Sequence, residues 1–323
     1  MKKKVPALTL GAMLFALCVS AAHAQQTRAM PLIGYLARSG SGPSPAFILG
    51  LSDLGYVEGK NIGVVFRTAE GRQERYADLA AELVRLKVDI VLADNTLAAL
   101  ALKKTTSTIA IVITNSSDPV GTGLVTSFAR PGGNVTGLTN VGTELGGKLL
   151  ELLKETVPRL SRAAIVRGPG LSNDLFVKEI EVPARALKIQ TISVKVGGPE
   201  DLEDAFRTIT KERANGLLVR LLGWDSVRLK RITNLAIKNR LPAIGTPTDW
   251  VESGGLMSYG ADLNVQYRRA AFYVAKILKG TKPADLPVEA PMKFEMKINL
   301  QTAKQIGLTI PPNVLARADR VIK

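Results

Sequence analysis

The sequence predicts an α/β fold of two lobes, each a parallel sheet covered by helices, facing each other across a cleft. Three observations on this chain of 323 residues carry that expectation. Short apolar runs rich in Val, Ile and Leu alternate with longer segments of helical period, the pattern of parallel strand–helix units. A breaker-rich stretch, Arg130-Pro-Gly-Gly-Asn-Val-Thr-Gly137, divides the alternation into two blocks. The segments after the strands are polar, as expected where loops at the carboxyl ends of parallel strands line a ligand cleft.

In the first block, Leu32-Ile-Gly-Tyr-Leu36 is apolar and reads as a strand, and a Gly/Ser loop over 38–44 leads to a helix over 45–54 opened by Pro45. A second strand is expected over 61–66. A helix over 74–86, a strand over 89–93, a helix over 97–104 and a strand over 109–114 follow by the same periods. The block is expected to close there, with four strands. The second block reads as helix 144–156, strand 162–166, helix 174–187 kinked or broken at Pro183, strand 190–194, helix 202–213, strand 216–221, helix 226–238 and strand 243–245. A strand over 256–259, a helix over 265–278, an alternating run over 293–299 and a short terminal helix complete the chain.

The first residues are read as a leader. Lys2, Lys3 and Lys4 precede an apolar run over 5–19, and Ala22-His23-Ala24 supplies a small-x-small cleavage pattern, so a signal peptide over 1–24 is expected, cut after Ala24. The run is too short for a membrane span. Leu17 stands where a lipoprotein site at Cys18 would want a small residue. Cys18 and His23 are the only cysteine and histidine in the chain, so a Ser-His-Asp triad, a Cys-His pair, a His-ligated zinc and a thiol redox centre are excluded from the mature protein. No catalytic residue, metal or cofactor is expected. The net charge is +15, three of it in the leader. Basic residues are spread along the chain and only 5% of residues are aromatic, so nucleic acid is not expected as a partner. The densest basic stretch, 228–240, alternates with Leu, Ile and Ala as the solvated face of a helix.

Candidate contacts sit at the strand ends. Ser39 and Ser41, flanked by Gly40 and Gly42, either bring N–H groups to an anion or form a flexible turn. Asn95 and Thr96 either bind ligand or cap a helix. Asn115 and Ser116 are free to face the cleft, whereas Asp118 before Pro119 fits a helix cap better. Asn173 serves as cap or contact. Trp224 with Asp225, and Trp250 with Asp249, offer an apolar wall and an acceptor for an ammonium group, or simple packing. Thr246 and Tyr259 close the set.

Several motifs in order and spacing carry a resemblance: Ile33-Gly-Tyr-Leu36, Leu54-Gly-Tyr56 with Gly59-Lys-Asn61, Asp118-Pro-Val-Gly121, Ala129-Arg-Pro-Gly-Gly-Asn-Val-Thr-Gly137, Gly254-Gly-Leu-Met-Ser-Tyr-Gly260 and Gly307-Leu-Thr-Ile-Pro-Pro312. In these the chain resembles the periplasmic substrate-binding proteins of ABC importers often described as tryptophan or tyrosine transport binding proteins. The resemblance implies two Rossmann-like lobes joined by three hinge crossings, the type I periplasmic-binding fold. It places lobe one at 30–140 plus 256–281 and lobe two at 141–255 plus 282–323, with crossings near 137–143, Gly254-Gly255 and 287–297. It implies a monomer in the periplasm that hands a small-molecule ligand to permease and ATPase subunits. At 246–250 the sequence departs from the family's Tyr- and acid-containing segment, so the ligand is expected by class, an amino acid or small carboxylate. A periplasmic sensor for a membrane receptor, or an exported enzyme using carboxylates or a Ser-Lys pair, are the alternatives.

Overall fold

A computed structural model describes residues 30–221, 224, 226–246 and 250–323. The leader with Cys18 and His23, and also Asp225 and Asp249, lie outside the described residues.

Strands β1 (Leu32–Ala37), β2 (Gly63–Thr68), β3 (Ile90–Ala93), β4 (Ala110–Ser116) and β5 (Val135–Thr139) form a parallel sheet in the order β2-β1-β3-β4-β5. Helices α1 (Pro45–Asp53), α2 (Arg75–Arg85) and α3 (Thr96–Thr105) connect the first four strands. β3 is apolar and buried along its whole length, as a strand covered by helices on both faces must be. The fifth strand corrects the expectation that the glycine-rich stretch ends the block after four. Gly137, at φ 125°, passes so close to β4 that a Cβ there would stand 2.2 Å from the Ile113 carbonyl oxygen. The breaker therefore lies inside a strand, where only glycine permits the approach.

The second sheet comprises β6 (Arg162–Arg167), β7 (Gln190–Lys195), β8 (Gly216–Arg220), β9 (Ala243–Gly245), β10 (Met257–Ala261), β11 (Phe294–Asn299) and β12 (Arg320–Ile322). Their order is β12-β11-β10-β9-β8-β6-β7, and only β10 and β11 run antiparallel. Around it lie α4 (Gly146–Thr156), α5 (Leu171–Ala186), α6 (Leu202–Lys211) and α7 (Ser226–Lys238), which buries Leu229, Ile232 and Ala236 and leaves its basic face outside. Of the kink or break expected at Pro183, the break does not occur: the helix runs through the proline to Ala186.

The next helix, α8 (Leu263–Leu278), leaves this sheet and packs on the first one, while α9 (Leu300–Gln305) and α10 (Pro312–Leu315) stay with the second. On α8, Ala270, Ala271, Tyr273 and Val274 share a core with Ile33, Tyr35, Phe47 and Leu51. Gly50 lets the two helices touch: a Cβ there would lie 2.9 Å from that of Ala271.

The strand at 257–261 requires a second correction. Met257 pairs with Ile244 on one side and Ile298 on the other, so β10 belongs to the second sheet and not to a lobe-one segment over 256–281. The chain crosses at Asp262, beyond β10, and not at Gly254-Gly255. Gly255 instead lies against Trp250, where a Cβ would meet the indole at 2.3 Å. The three crossings, at 140–145, Asp262 and 290–293, are laced together. Thr139 N–H donates to the Glu289 carbonyl at 3.0 Å, and Asp262 N–H to the Lys293 carbonyl at 3.0 Å. Arg269 on α8 grips the Glu289 carboxylate through Nε at 2.8 Å and Nη2 at 2.6 Å.

Candidate functional site

A cavity of about 300 Å³ lies where the carboxyl ends of the two sheets face each other. One wall comes from the first sheet: Arg38 after β1, Asn95 and Thr96 after β3, Asn115 and Ser117 at β4, and Asn140 at the first crossing. The other wall is the segment 169–173, which follows β6 and opens α5. Leu97, Leu100 and Leu171 give the cavity an apolar side.

The first wall is a closed hydrogen-bond network. Asn95 caps α3, its Oδ1 accepting from Ala98 N–H at 2.9 Å, while its Nδ2 donates to the Tyr76 hydroxyl at 2.9 Å and to Asp94 at 2.5 Å. Asp94 also accepts the Arg38 backbone N–H at 3.1 Å. Packed among Tyr35, Tyr76 and Tyr267, its carboxyl is pushed up to about 6 by burial, with the Arg38 charge pulling it back down. Thr96 Oγ1 pairs with Ser116 Oγ at 3.2 Å and accepts Ser117 N–H at 3.3 Å. Asn140 Nδ2 donates to Asn115 Oδ1, and its Oδ1 accepts Gly142 N–H at 2.9 Å.

The second wall is not closed. Behind its lining residues Arg220, the last residue of β8, is wholly buried and does not itself line the cavity. Its nearest polar partners are Ser172 Oγ at 3.4 Å from Nη2 and Thr246 Oγ1 at 3.5 Å from Nη1, both long contacts. Its Nε has no partner, and its plane rests 4.6 Å over the Phe176 ring. Burial alone pulls the guanidinium down to about 9, still charged at neutral pH. Asn173 donates to the Pro169 carbonyl at 3.0 Å, but its buried Oδ1 accepts nothing. No side chain caps α5 at Gly170.

Of the residues expected at the site, Asn95, Thr96, Asn115 and Asn173 meet at the cavity. Ser116 is buried, its hydroxyl turned to Thr96, and the next residue, Ser117, lines the wall instead. Ser39 and Ser41 lie on an exposed loop whose cavity residue is Arg38. Asp118 caps no helix, because a turn follows it in place of one, and its Oδ1 closes that turn by accepting Gly121 N–H at 2.7 Å. Trp224 and Trp250 are both packed into the core of the second lobe. Thr246 stands beside Arg220 rather than at the lining, and Tyr259 stacks on Phe294 with ring centroids 5.5 Å apart. The reading missed Arg38, Ser117 and Asn140 at the lining, and Arg220 buried behind it. A signal for Arg220 existed: it is the one charged residue of Gly-Leu-Leu-Val-Arg, a strand otherwise fit only for burial. Among the described residues, no cluster of His, Cys, Asp or Glu could hold a metal, and no helix is long and apolar enough to cross a membrane.

The sequence model of one family, described as ABC transporter substrate binding protein, matches residues 44–322. A tyrosine-binding protein of Clostridioides difficile (strain R20291) is 26% identical over 263 residues, 81% of this chain and 75% of the relative. The crystal structure of a conserved domain protein from Vibrio cholerae is 30% identical with a TM-score of 0.81, covering 90% of this chain and 99% of that one. A Streptococcus pneumoniae ABC domain in complex with L-Trp is 25% identical, with a TM-score of 0.80 over 90% of this chain and 99% of that one.

Proposed function

The chain belongs to the ABC transporter substrate-binding protein family, and on that premise we propose that it is the exported solute receptor of an importer. It captures an amino acid or small carboxylate between its lobes and delivers it to a membrane permease and its ATPase. The cavity between the two sheets carries this reading. Its volume of about 300 Å³ suits one metabolite of amino-acid size, and its polar walls with one apolar side suit a ligand with a polar head and an apolar body. The tyrosine and tryptophan named for two relatives support the same class. Arg228 of α7 reaches across to donate to the Gly71 carbonyl at 3.0 Å, a contact between lobes that favours a closed state. The charged leader with its Ala22-His23-Ala24 site supports work in the periplasm, and capture by closure needs only a monomer and no chemical step.

The test uses protein from Gln25 onward, unfolded and refolded to strip carried ligand, and melted against amino acids, organic acids and other metabolites. A ligand at a hundredfold excess over its dissociation constant adds about 2.7 kcal/mol of stability. A shift with aromatic amino acids or small carboxylates is expected. No shift across the panel, or turnover of a bound compound, would overturn the receptor reading.

A further inference from the structure

Directly behind the second wall of the cavity lies a cation that the described residues leave without a counter-charge. Arg220 is wholly buried, and no carboxylate pairs with it among the described residues. Removing a guanidinium from water costs several kcal/mol unless hydrogen bonds and an opposite charge offset it. Here the offset is one aromatic face, Phe176, and two contacts at the limit of hydrogen bonding. An apolar side chain of similar length would serve the core better. Arg38, which does line the cavity, differs because it lies close to Asp94.

The position of Arg220 is what a ligand anchor needs. It ends a parallel strand at the carboxyl edge of the sheet, where ligands of such folds bind. Ser172, which touches Nη2, itself lines the cavity. Nη1 approaches the first crossing so closely that a Cβ on Gly142 would stand 2.8 Å from it. The guanidinium thus sits one side chain away from the cavity, covered by Ser172 of the second wall and set against the first crossing. A carboxylate that replaces the serine hydroxyl at Nη2 would reach the unpartnered Nε on the same edge of the fork, making the bidentate pair that guanidinium favours. The uncapped start of α5 adds positive potential to that corner, and the unsatisfied Oδ1 of Asn173 offers an acceptor to an amino or hydroxyl group beside the carboxylate.

Resting on the receptor reading, we propose that Arg220, reached by displacing the Ser172 hydroxyl, is the carboxylate anchor of the cavity, so that the protein selects carboxylate-bearing solutes and rejects the matching amides, which lack that negative charge. The anchor is carried at a cost to the stability of the empty protein, which the ligand removes.

The experiment pairs acids with their amides in a carboxylate-free buffer: L-tyrosine with L-tyrosinamide, L-tryptophan with L-tryptophanamide, and benzoate with benzamide. Binding is measured by calorimetry on wild type, Arg220→Met and Arg220→Lys, and the ligand-free urea midpoint is measured on each. In the wild type the acid of at least one pair binds, and its amide binds about thirtyfold more weakly or worse. Arg220→Met loses the acid by a similar factor while its ligand-free midpoint stays level or rises, and Arg220→Lys, which keeps the charge without the fork, falls between. An amide that binds as tightly as its acid, or an Arg220→Met protein that keeps the acid's affinity, overturns the anchor and leaves the receptor reading standing. A ligand-free midpoint lowered in Arg220→Met and restored in Arg220→Lys makes the residue structural and likewise overturns it. A wild type that binds no solute of any class overturns the receptor reading, and the anchor with it.

Discussion

The two walls of the cavity handle their polar groups in opposite ways. On the first wall, Asn95 spends its carbonyl on the α3 cap and its amide on Tyr76 and Asp94, and Asn140 and Asn115 satisfy each other. On the second wall, α5 starts without a side-chain cap and Asn173 keeps an idle acceptor, and just behind it Arg220 keeps an idle donor. Both walls hang from carboxyl ends of parallel strands, so the fold does not dictate the difference. A wall whose groups are already paired is a rigid surface that shapes the ligand. A wall with unmet buried groups is one whose pairing is completed by something else. Substitutions on the first side should therefore be read in stability, and those on the second in affinity.

The largest effect expected is on the first side. Gly137→Ala would force a Cβ to within 2.2 Å of the Ile113 carbonyl oxygen at φ 125°. It should cost more than about 3 kcal/mol in urea unfolding, and an unchanged midpoint would mean that β5 does not lie as described. Next comes pH. Burial holds the Asp94 carboxyl at about 6 in the folded protein, above its value of about 3.9 in an unfolded chain, so the native state binds this proton more tightly. The group then costs stability in full above pH 6, and that cost fades as pH falls from 6 to 4. Wild type measured against Asp94→Asn should gain at most about 3 kcal/mol between pH 7 and pH 4. The comparison cancels Glu82 and Glu289, whose carboxyls Arg67 and Arg269 hold low and which act with the opposite sign. A flat difference would show that Asp94 is solvated rather than enclosed.

Asn95→Ala removes the α3 cap and should cost about 1 to 2 kcal/mol of stability. If it instead left stability untouched and abolished binding, the contrast between the walls would fail. The smallest effect belongs to Arg228→Ala. Its loss of the contact to Gly71 should weaken ligand binding several-fold by easing the lobes apart, and leave the urea midpoint within about 0.5 kcal/mol of wild type. A large drop in stability would mean that the contact belongs to the fold and not to closure.

Much of this architecture was legible because the periods of helix and strand are strong: α7 and β9 occupy the very residues their patterns suggested. The missed β5 and misplaced β10 have different causes. β5 is hidden by Gly137, a residue that usually ends a strand and here permits its close packing. β10 is recognisable as a strand, but its sheet is set by pairing with β9 and with β11, which a local pattern does not encode. At the site the right segments were found and the wrong neighbours chosen within them, Ser116 for Ser117 and Ser39 for Arg38. In extended chain a slip of one residue turns the side chain to the other face, so knowing the segment is not knowing the contact. Arg220 escaped notice because a strand of Gly, Leu, Leu and Val invites no question about its last residue.

The helix that completes the first lobe is made late. β5 ends at Thr139, yet α8, which covers Ile33, Tyr35, Phe47 and Leu51, begins only at Leu263. A chain emerging from its amino end must carry a finished five-stranded sheet with one apolar face covered only by α1 while the whole of the second sheet up to β10 is still being delivered. That interval is a window for aggregation or for a chaperone, and it closes only when α8 docks. Any chain cut short before Leu263 would expose the same face for good, so a missing end announces itself in the part of the molecule that was built first.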